Sequence, residues 1–148
     1  MCSSLQSITI PSSITSISPY CFNGCASLKE VIIPEGITKI GEGAFYGCTG
    51  LGNITIAESV SQIDSQAFRG CSGLSFVNIP LGVNVIGAGA FMECSGLLIG
   101  EGIKIETRDF FYWEILNSGL RPDMNNPQNN AKMFVTDYWS SEWEKHQF

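Results

Sequence analysis

The stretch Cys25 to Gly47 reads CASLKEVIIPEGITKIGEGAFYG, and its two successors repeat it: Cys48 to Gly70 is CTGLGNITIAESVSQIDSQAFRG, and Cys71 to Glu93 is CSGLSFVNIPLGVNVIGAGAFME. Laid one under another, the three share a column at every apolar position. The columns extend outward on both sides: Cys2, Cys25, Cys48, Cys71 and Cys94 stand 23 residues apart, and Leu5, Leu28, Leu51, Leu74 and Leu97 keep the same phase. Ile8, Val31, Ile54 and Val77 form a further column; so do Ile10, Ile33, Ile56 and Ile79; Ile14, Ile37, Val60 and Val83; and Ile17, Ile40, Ile63 and Ile86. Phe22, Phe45, Phe68 and Phe91 close each unit.

Within a unit, L-x-x-[IV]-x-I ends in period-two alternation, which predicts a short strand, and the proline that usually follows ends it. A second apolar pair, such as Ile37 and Ile40, opens the return path. One unit cannot bury its own apolar residues, because a strand and its return leg have no opposite wall. Stacking supplies the wall: identical spacing sets each Leu, Ile and Phe on its counterpart one coil away, with parallel strands at roughly 4.8 Å per coil. Gly24, Gly47 and Gly70, with Gly36 and Gly82, suit corners that need positive φ or close approach. The result is a prism of four regular coils.

After Leu97 the register changes, yet GEGIKIETRDFFY echoes PEGITKIGEGAFY. Aligning Ile105 with Ile40 sets Phe110 in the place of Phe45 and Asp109 in that of Ala44, which describes a fifth coil that has lost three residues from its strand and one from its return leg. Such an atypical coil suits a cap. Residues 1–113 are therefore expected to form the solenoid and 114–148 a C-terminal cap or tail. Asn117 to Asn130 has the composition of a loop. Ala131 to Phe148 carries Met133, Phe134, Tyr138, Trp139 and Trp143 at spacings that favour an amphipathic helix, with a strand at Met133 to Thr136 as the alternative.

Composition narrows the function. Charged residues are 15% and hydrophobic ones 44%, the net charge is −6 and the pI near 4.6. A chain of that charge lacks the field that attracts phosphates, so neither nucleic acid nor an acidic membrane surface is an expected partner. No apolar run approaches the ~20 residues of a membrane-spanning helix, so no membrane insertion is expected, and Met1 to Ser4 has neither the charged start nor the apolar stretch of a signal peptide.

The candidate chemistry has a packing explanation at each position. The cysteine column forms a row of neighbouring thiols but lacks a C-x-x-C or Cys/His cluster, so buried small hydrophobes are expected rather than disulfides or zinc ligands. Cys21 takes the small-residue position of Ala44, Ala67 and Ala90. Gly41-Glu42-Gly43 and Gly87-Ala88-Gly89 recur with the repeat and read as turns, not phosphate loops. The single histidine, His146, and the tail carboxylates have no spacing that forces a shared site. No catalytic residue, metal ligand or cofactor is expected. Trp113, Trp139 and Trp143 with Tyr112 and Tyr138 suit either a cap packed on the last coil or a sugar-stacking surface.

The three quoted units resemble the BspA-like leucine-rich repeat family of bacterial and protist surface proteins, over about the first two-thirds of the chain. The resemblance implies a leucine-rich-repeat solenoid: β-rich, a parallel strand stack wound as a curved right-handed coil, here with a C-terminal capping segment. It also implies a noncatalytic role in adhesion or protein contact, an extracellular or cell-surface location, and a host or matrix protein as partner.

The residues that would carry such contact are those between the inward positions of the strand: Gln6, Ser7 and Thr9; Lys29, Glu30 and Ile32; Gly52, Asn53 and Thr55; Ser75, Phe76 and Asn78. They vary while everything around them is held constant. Ile32 and Phe76 are apolar where Thr or Asn would serve, and apolar groups rimmed by polar ones mark contact surfaces. Ser7, Thr9, Glu30, Ile32, Asn53, Thr55, Phe76 and Asn78 are thus the candidate partner-binding set; a plain hydrated sheet with two stray apolar residues is the competing reading. Asn53-Ile54-Thr55 is also a glycosylation sequon, of consequence in a host that glycosylates secreted proteins. The first strand, Leu5 to Ile10, has an edge that favours homo-oligomerisation through the N-terminal coil.

Overall fold

A computed structural model describes residues 3–97, together with the backbone of Ile103–Ile105. Eight short strands appear: β1 (Ser16–Ile17), β2 (Glu30–Ile33), β3 (Lys39–Ile40), β4 (Asn53–Ile56), β5 (Gln62–Ile63), β6 (Val77–Ile79), β7 (Val85–Ile86) and β8 (Ile103–Ile105). All pair in parallel. Residues 2–24, 25–47, 48–70 and 71–93 are coils 1 to 4, and each pairing joins equivalent positions of neighbouring coils: Val31 faces Ile54 and Ile40 faces Ile63. The register is the 23-residue spacing written in three dimensions.

The coil has three walls. One is the strand wall, made of β2 with β4 and of β6 with β8. The second is the return wall, where β1, β3, β5 and β7 form one continuous sheet. The third carries the phenylalanines, and here the amide of one coil donates to a carbonyl of the next: Phe22 to Ala44 at 2.8 Å, Phe45 to Ala67 at 2.7 Å, Phe68 to Ala90 at 2.7 Å. The sequence pattern shows two walls; this third ladder has no apolar alternation to announce it. The left-handed backbone at Gly47 (φ 73°) belongs to the third wall, in a column where coil 4 holds Glu93 (φ 63°).

Inside, the columns close into one core. Leu28, Leu51 and Leu74, with Phe45, Phe68, Ile40 and Ile63, have no exposed surface. The phenylalanine rings stack at centroid separations of 5.3, 5.3 and 5.2 Å. Cys25, Cys48, Cys71 and Cys94 are buried and form no disulfide with one another, as the packing reading expects. Three of them also do polar work: the thiols of Cys48, Cys71 and Cys94 donate to the carbonyls of Phe22, Phe45 and Phe68 at 3.1, 3.1 and 3.0 Å. A carbonyl facing the core is thereby satisfied by a side chain that is small and largely apolar yet still offers a donor.

Three expectations need correction. Ile105 does not occupy the position of Ile40: β8 pairs with β6 so that Ile105 faces Ile79 and Ile103 faces Val77. The fifth coil has therefore gained three residues before its strand, since 26 residues rather than 23 separate Val77 from Ile103, and has not lost three from the strand itself. Cys21 is exposed where Ala44, Ala67 and Ala90 are fully buried, so it does not share their packing role. The strand expected at Leu5 to Ile10 is a single bridge, Ser7 to Glu30. The expectations for Asp109, Phe110 and everything beyond Ile105, including Tyr112, Trp113, Tyr138, Trp139, Trp143 and His146, lie outside the described residues.

Candidate functional site

Alternation along β2 and β4 decides what reaches solvent. Successive side chains point to opposite faces, so Val31, Ile33, Ile54 and Ile56 enter the core while Glu30, Ile32, Asn53 and Thr55 stand on the outer face. The structure places seven of the eight candidate residues in the open: Ser7, Thr9, Glu30, Ile32, Asn53, Thr55 and Phe76. Asn78 is half-buried, and its Oδ1 is shielded with no hydrogen-bond partner. Register links them into one surface. Ser7 bridges Glu30, Glu30 faces Asn53, Asn53 bridges Phe76, and Ile32 faces Thr55.

The apolar members are the notable ones. Ile32 is 58% and Phe76 43% exposed, against 1% for Ile33 and 0% for Val77 beside them. Around Ile32 a shallow groove of about 360 Å³ runs between Ser7, Thr9, Glu30 and Pro34. Lys29 and Glu30 are the only charges on the outer face between Ser7 and Asn78. The surface therefore offers apolar contact and neutral hydrogen-bonding groups, with little long-range electrostatic attraction.

Other exposed apolar residues lie away from this face: Leu81 at 62%, Val85 at 44% and Ile14 at 39%. The columns contained a signal for one of them. Leu81 follows Ser12, Glu35 and Glu58 in phase, and an aliphatic residue in a polar column is out of keeping with a hydrated corner.

The buried thiols are placed against covalent chemistry. Burial pushes the Cys48 and Cys94 thiols up to about 12, and Cys71 is raised for the same reason, so none supplies thiolate near neutrality. The hydrogen bond from Tyr20 to Glu42, 2.8 Å, raises the phenol, which favours its role as donor. Among the described residues no three His, Cys, Asp or Glu side chains gather to hold a metal ion. No described helix is long and apolar enough to cross a membrane.

Comparison with known proteins points one way. A family model described as BspA type leucine-rich repeat region matches residues 1–110 in six copies. A leucine-rich cell surface protein of Faecalibacterium prausnitzii is 38% identical with a TM-score of 0.65, over 72% of this chain and 27% of that one. The T. pallidum leucine-rich repeat protein is 29% identical with a TM-score of 0.60, over 70% of this chain and 52% of its own. A leucine-rich repeat protein of Bacteroides ovatus is 30% identical with a TM-score of 0.52, covering 70% and 35%. The chain thus spans about half or less of these three structures. No curated protein matches it.

Proposed function

The chain belongs to the BspA-type leucine-rich repeat family, and from that premise we propose that it is a noncatalytic module that engages a protein partner through its strand wall. The observation that carries this reading is the pair Ile32 and Phe76, open to solvent on a wall otherwise lined mainly by polar residues, Ser, Thr, Asn, Lys and Glu among them. Exposed side chains of this size carry a hydration cost, and apolar anchors within a polar rim are how contact surfaces are built. The near-neutral charge of the wall favours a partner recognised by shape and apolar contact over one drawn by charge. A cell-surface location accompanies this reading, supported by the F. prausnitzii neighbour described as a cell surface protein.

The test compares capture by the unmodified chain with capture by the double variant Ile32→Lys, Phe76→Lys, from extracts of the native environment. A protein retained by the first and lost by the second, at unchanged melting temperature, supports the strand wall. Retention of the same proteins by both would overturn it.

A second reading, self-association through coil 1, is favoured by an open groove of about 440 Å³ bounded by Ile8, Ile10, Ile14, Ile17 and Phe22, with no charged side chain in its lining. The exposed apolar surface is modest, since Ile10 is already 8% and Ile17 3% exposed. Mass measured by light scattering that rises with concentration supports this reading; a constant monomer mass at high micromolar concentration counts against it.

A further inference from the structure

Coils 1 to 4 share their apolar columns, but their glycines do not fall evenly. In three columns glycine alternates with a larger residue: Ser13, Gly36, Ser59, Gly82; Ser18, Gly41, Asp64, Gly87; and Tyr20, Gly43, Gln66, Gly89. Coils 2 and 4 carry the glycines in all three. Backbone conformation alone does not impose this. Tyr20, Gly43, Gln66 and Gly89 all hold left-handed φ values, 56°, 59°, 60° and 67°, and two of the four are not glycine.

Four of these six glycines, Gly41, Gly43, Gly82 and Gly87, come too close to the coil before them to carry a Cβ. A Cβ at Gly41 would lie 2.5 Å from the carbonyl oxygen of Ile17 and 2.9 Å from the nitrogen of Pro19. At Gly87 it would lie 2.2 Å from the nitrogen of Ser65. These are backbone atoms and cannot swing aside. At Gly43 the space is filled by the Tyr20 ring, whose Cε1 would be 2.3 Å from a Cβ. Side-chain links occur at every junction, such as Tyr20 with Glu42 and Arg69 with Glu93, and Gly50 of coil 3 also runs close to the Ala26 carbonyl of coil 2. In the three alternating columns, however, coil 3 meets coil 2 through side chains. Lys39 pairs with Asp64 at 3.3 Å. Ser59 Oγ accepts from the Gly36 amide at 3.1 Å and donates to the Ile37 carbonyl at 2.7 Å. The Glu58 amide donates to the Glu35 carboxylate at 3.1 Å.

The strand wall, on different atoms, shows the same alternation. Coils 2 and 3 are laddered over four residues, Glu30–Ile33 against Asn53–Ile56. Coils 1 and 2 share a single bridge there, as do coils 3 and 4. The ladder resumes over three residues between β6 and β8. The return wall and the phenylalanine wall are uniform throughout.

We infer that the solenoid is built from two kinds of coil, and that the surface between coils selects its neighbour by kind. A glycine coil fits onto a coil bearing the larger residues by leaving room for its backbone and for Tyr20; a coil bearing the larger residues fits onto a glycine coil by filling the same columns with Ser59 and Asp64, which bond to Gly36, Ile37 and Lys39. The unit that repeats is thus the pair of coils, 46 residues, and the partner that each coil surface accepts is a coil of the opposite kind. The split strand wall follows, with β2 and β4 as one plate and β6 and β8 as another, meeting at the Asn53–Phe76 bridge.

Duplication tests this without removing any native residue. One variant gains a second copy of residues 48–93 after Glu93, which preserves alternation. The other gains a second copy of residues 48–70 after Gly70, which sets two coils of the larger kind together. Added coils ordinarily stabilise a repeat stack, so the pair insertion is expected to raise the melting temperature and the single insertion to lower it or abolish folding. Equal rises in both, or a fall in the pair insertion, would overturn the inference. Point variants give the independent reading. Gly41→Ala and Gly87→Ala are expected to lower the melting temperature by roughly 5–10 °C, or to prevent folding, while Asp64→Ala at the equivalent position changes it by no more than about 3 °C. Glycine variants no worse than Asp64→Ala would likewise overturn it.

Discussion

Val31 and Ile33 are each 1% exposed, while between them Ile32 stands 58% exposed on the opposite face of the same strand. The inward column keeps Val or Ile in every coil; the outward line Ser7, Glu30, Asn53 and Phe76 has no common chemistry. The difference teaches what stacking does and does not constrain. An inward side chain touches its counterparts above and below, so any change in volume is felt three times over. An outward side chain meets water on one side and is held to no volume, so its identity is available for recognition.

The sharpest way to break this comparison is from the inside. Phe68 lies between Phe45 and Phe91 with no exposed surface, and Phe68→Ala is expected to cost about 3–5 kcal/mol, because the stacked neighbours cannot collapse into the space left. Chemical denaturation measures this, and a change below about 1 kcal/mol would mean the ring column does not carry the core.

The thiol ladder sets a second expectation. Burial holds Cys48 and Cys94 protonated up to about 12, whereas in the unfolded chain they ionise near 9.0. Their contribution is fully present below pH 9 and is lost as pH rises from there through the folded value, because the unfolded state releases protons first. The melting temperature should therefore fall steeply above pH 9, and Cys48→Ala with Cys94→Ala should flatten that fall. An identical alkaline slope in the double variant would show the thiols are not its source.

Smaller effects belong to the outside. Arg69 contacts Glu93 through Nε and Nη2 at 3.0 and 2.8 Å, but solvent screens such a pair, so the effect of Arg69→Ala should be small and should shrink further as salt is added. Thermal melts at low and high salt measure both. Thr55→Ser, on the outer face, is expected to stay within about 0.5 kcal/mol. A larger loss in denaturant titration would give that face a structural duty.

Most of the fold was legible because period is visible in a single chain: a residue that recurs every 23 positions and is always aliphatic is inside. The outward candidates were legible by the same argument in reverse, as the positions that refuse to recur. The third wall was not, since its hydrogen bonds run between backbone atoms. The fifth coil was misplaced because Ile103 and Ile105 satisfy a return-leg pattern as well as a strand pattern, and the ladder with Val77 and Ile79 decides between them. The coil alternation was present in the glycines but read as corners, because its meaning lies in distances to the preceding coil.

The central claim is that Ile32 and Phe76 are apolar for contact rather than for folding. Serine substitution in turn at Glu30, Val31, Ile32, Ile33, Phe76, Val77 and Ile79, with the melting temperature of each, tests it most directly. The account predicts losses of roughly 5–15 °C at Val31, Ile33, Val77 and Ile79, and changes within about 3 °C at Glu30, Ile32 and Phe76. A loss at Ile32 or Phe76 as large as that at Ile33 would contradict it, by showing that the outer apolar residues hold the solenoid together.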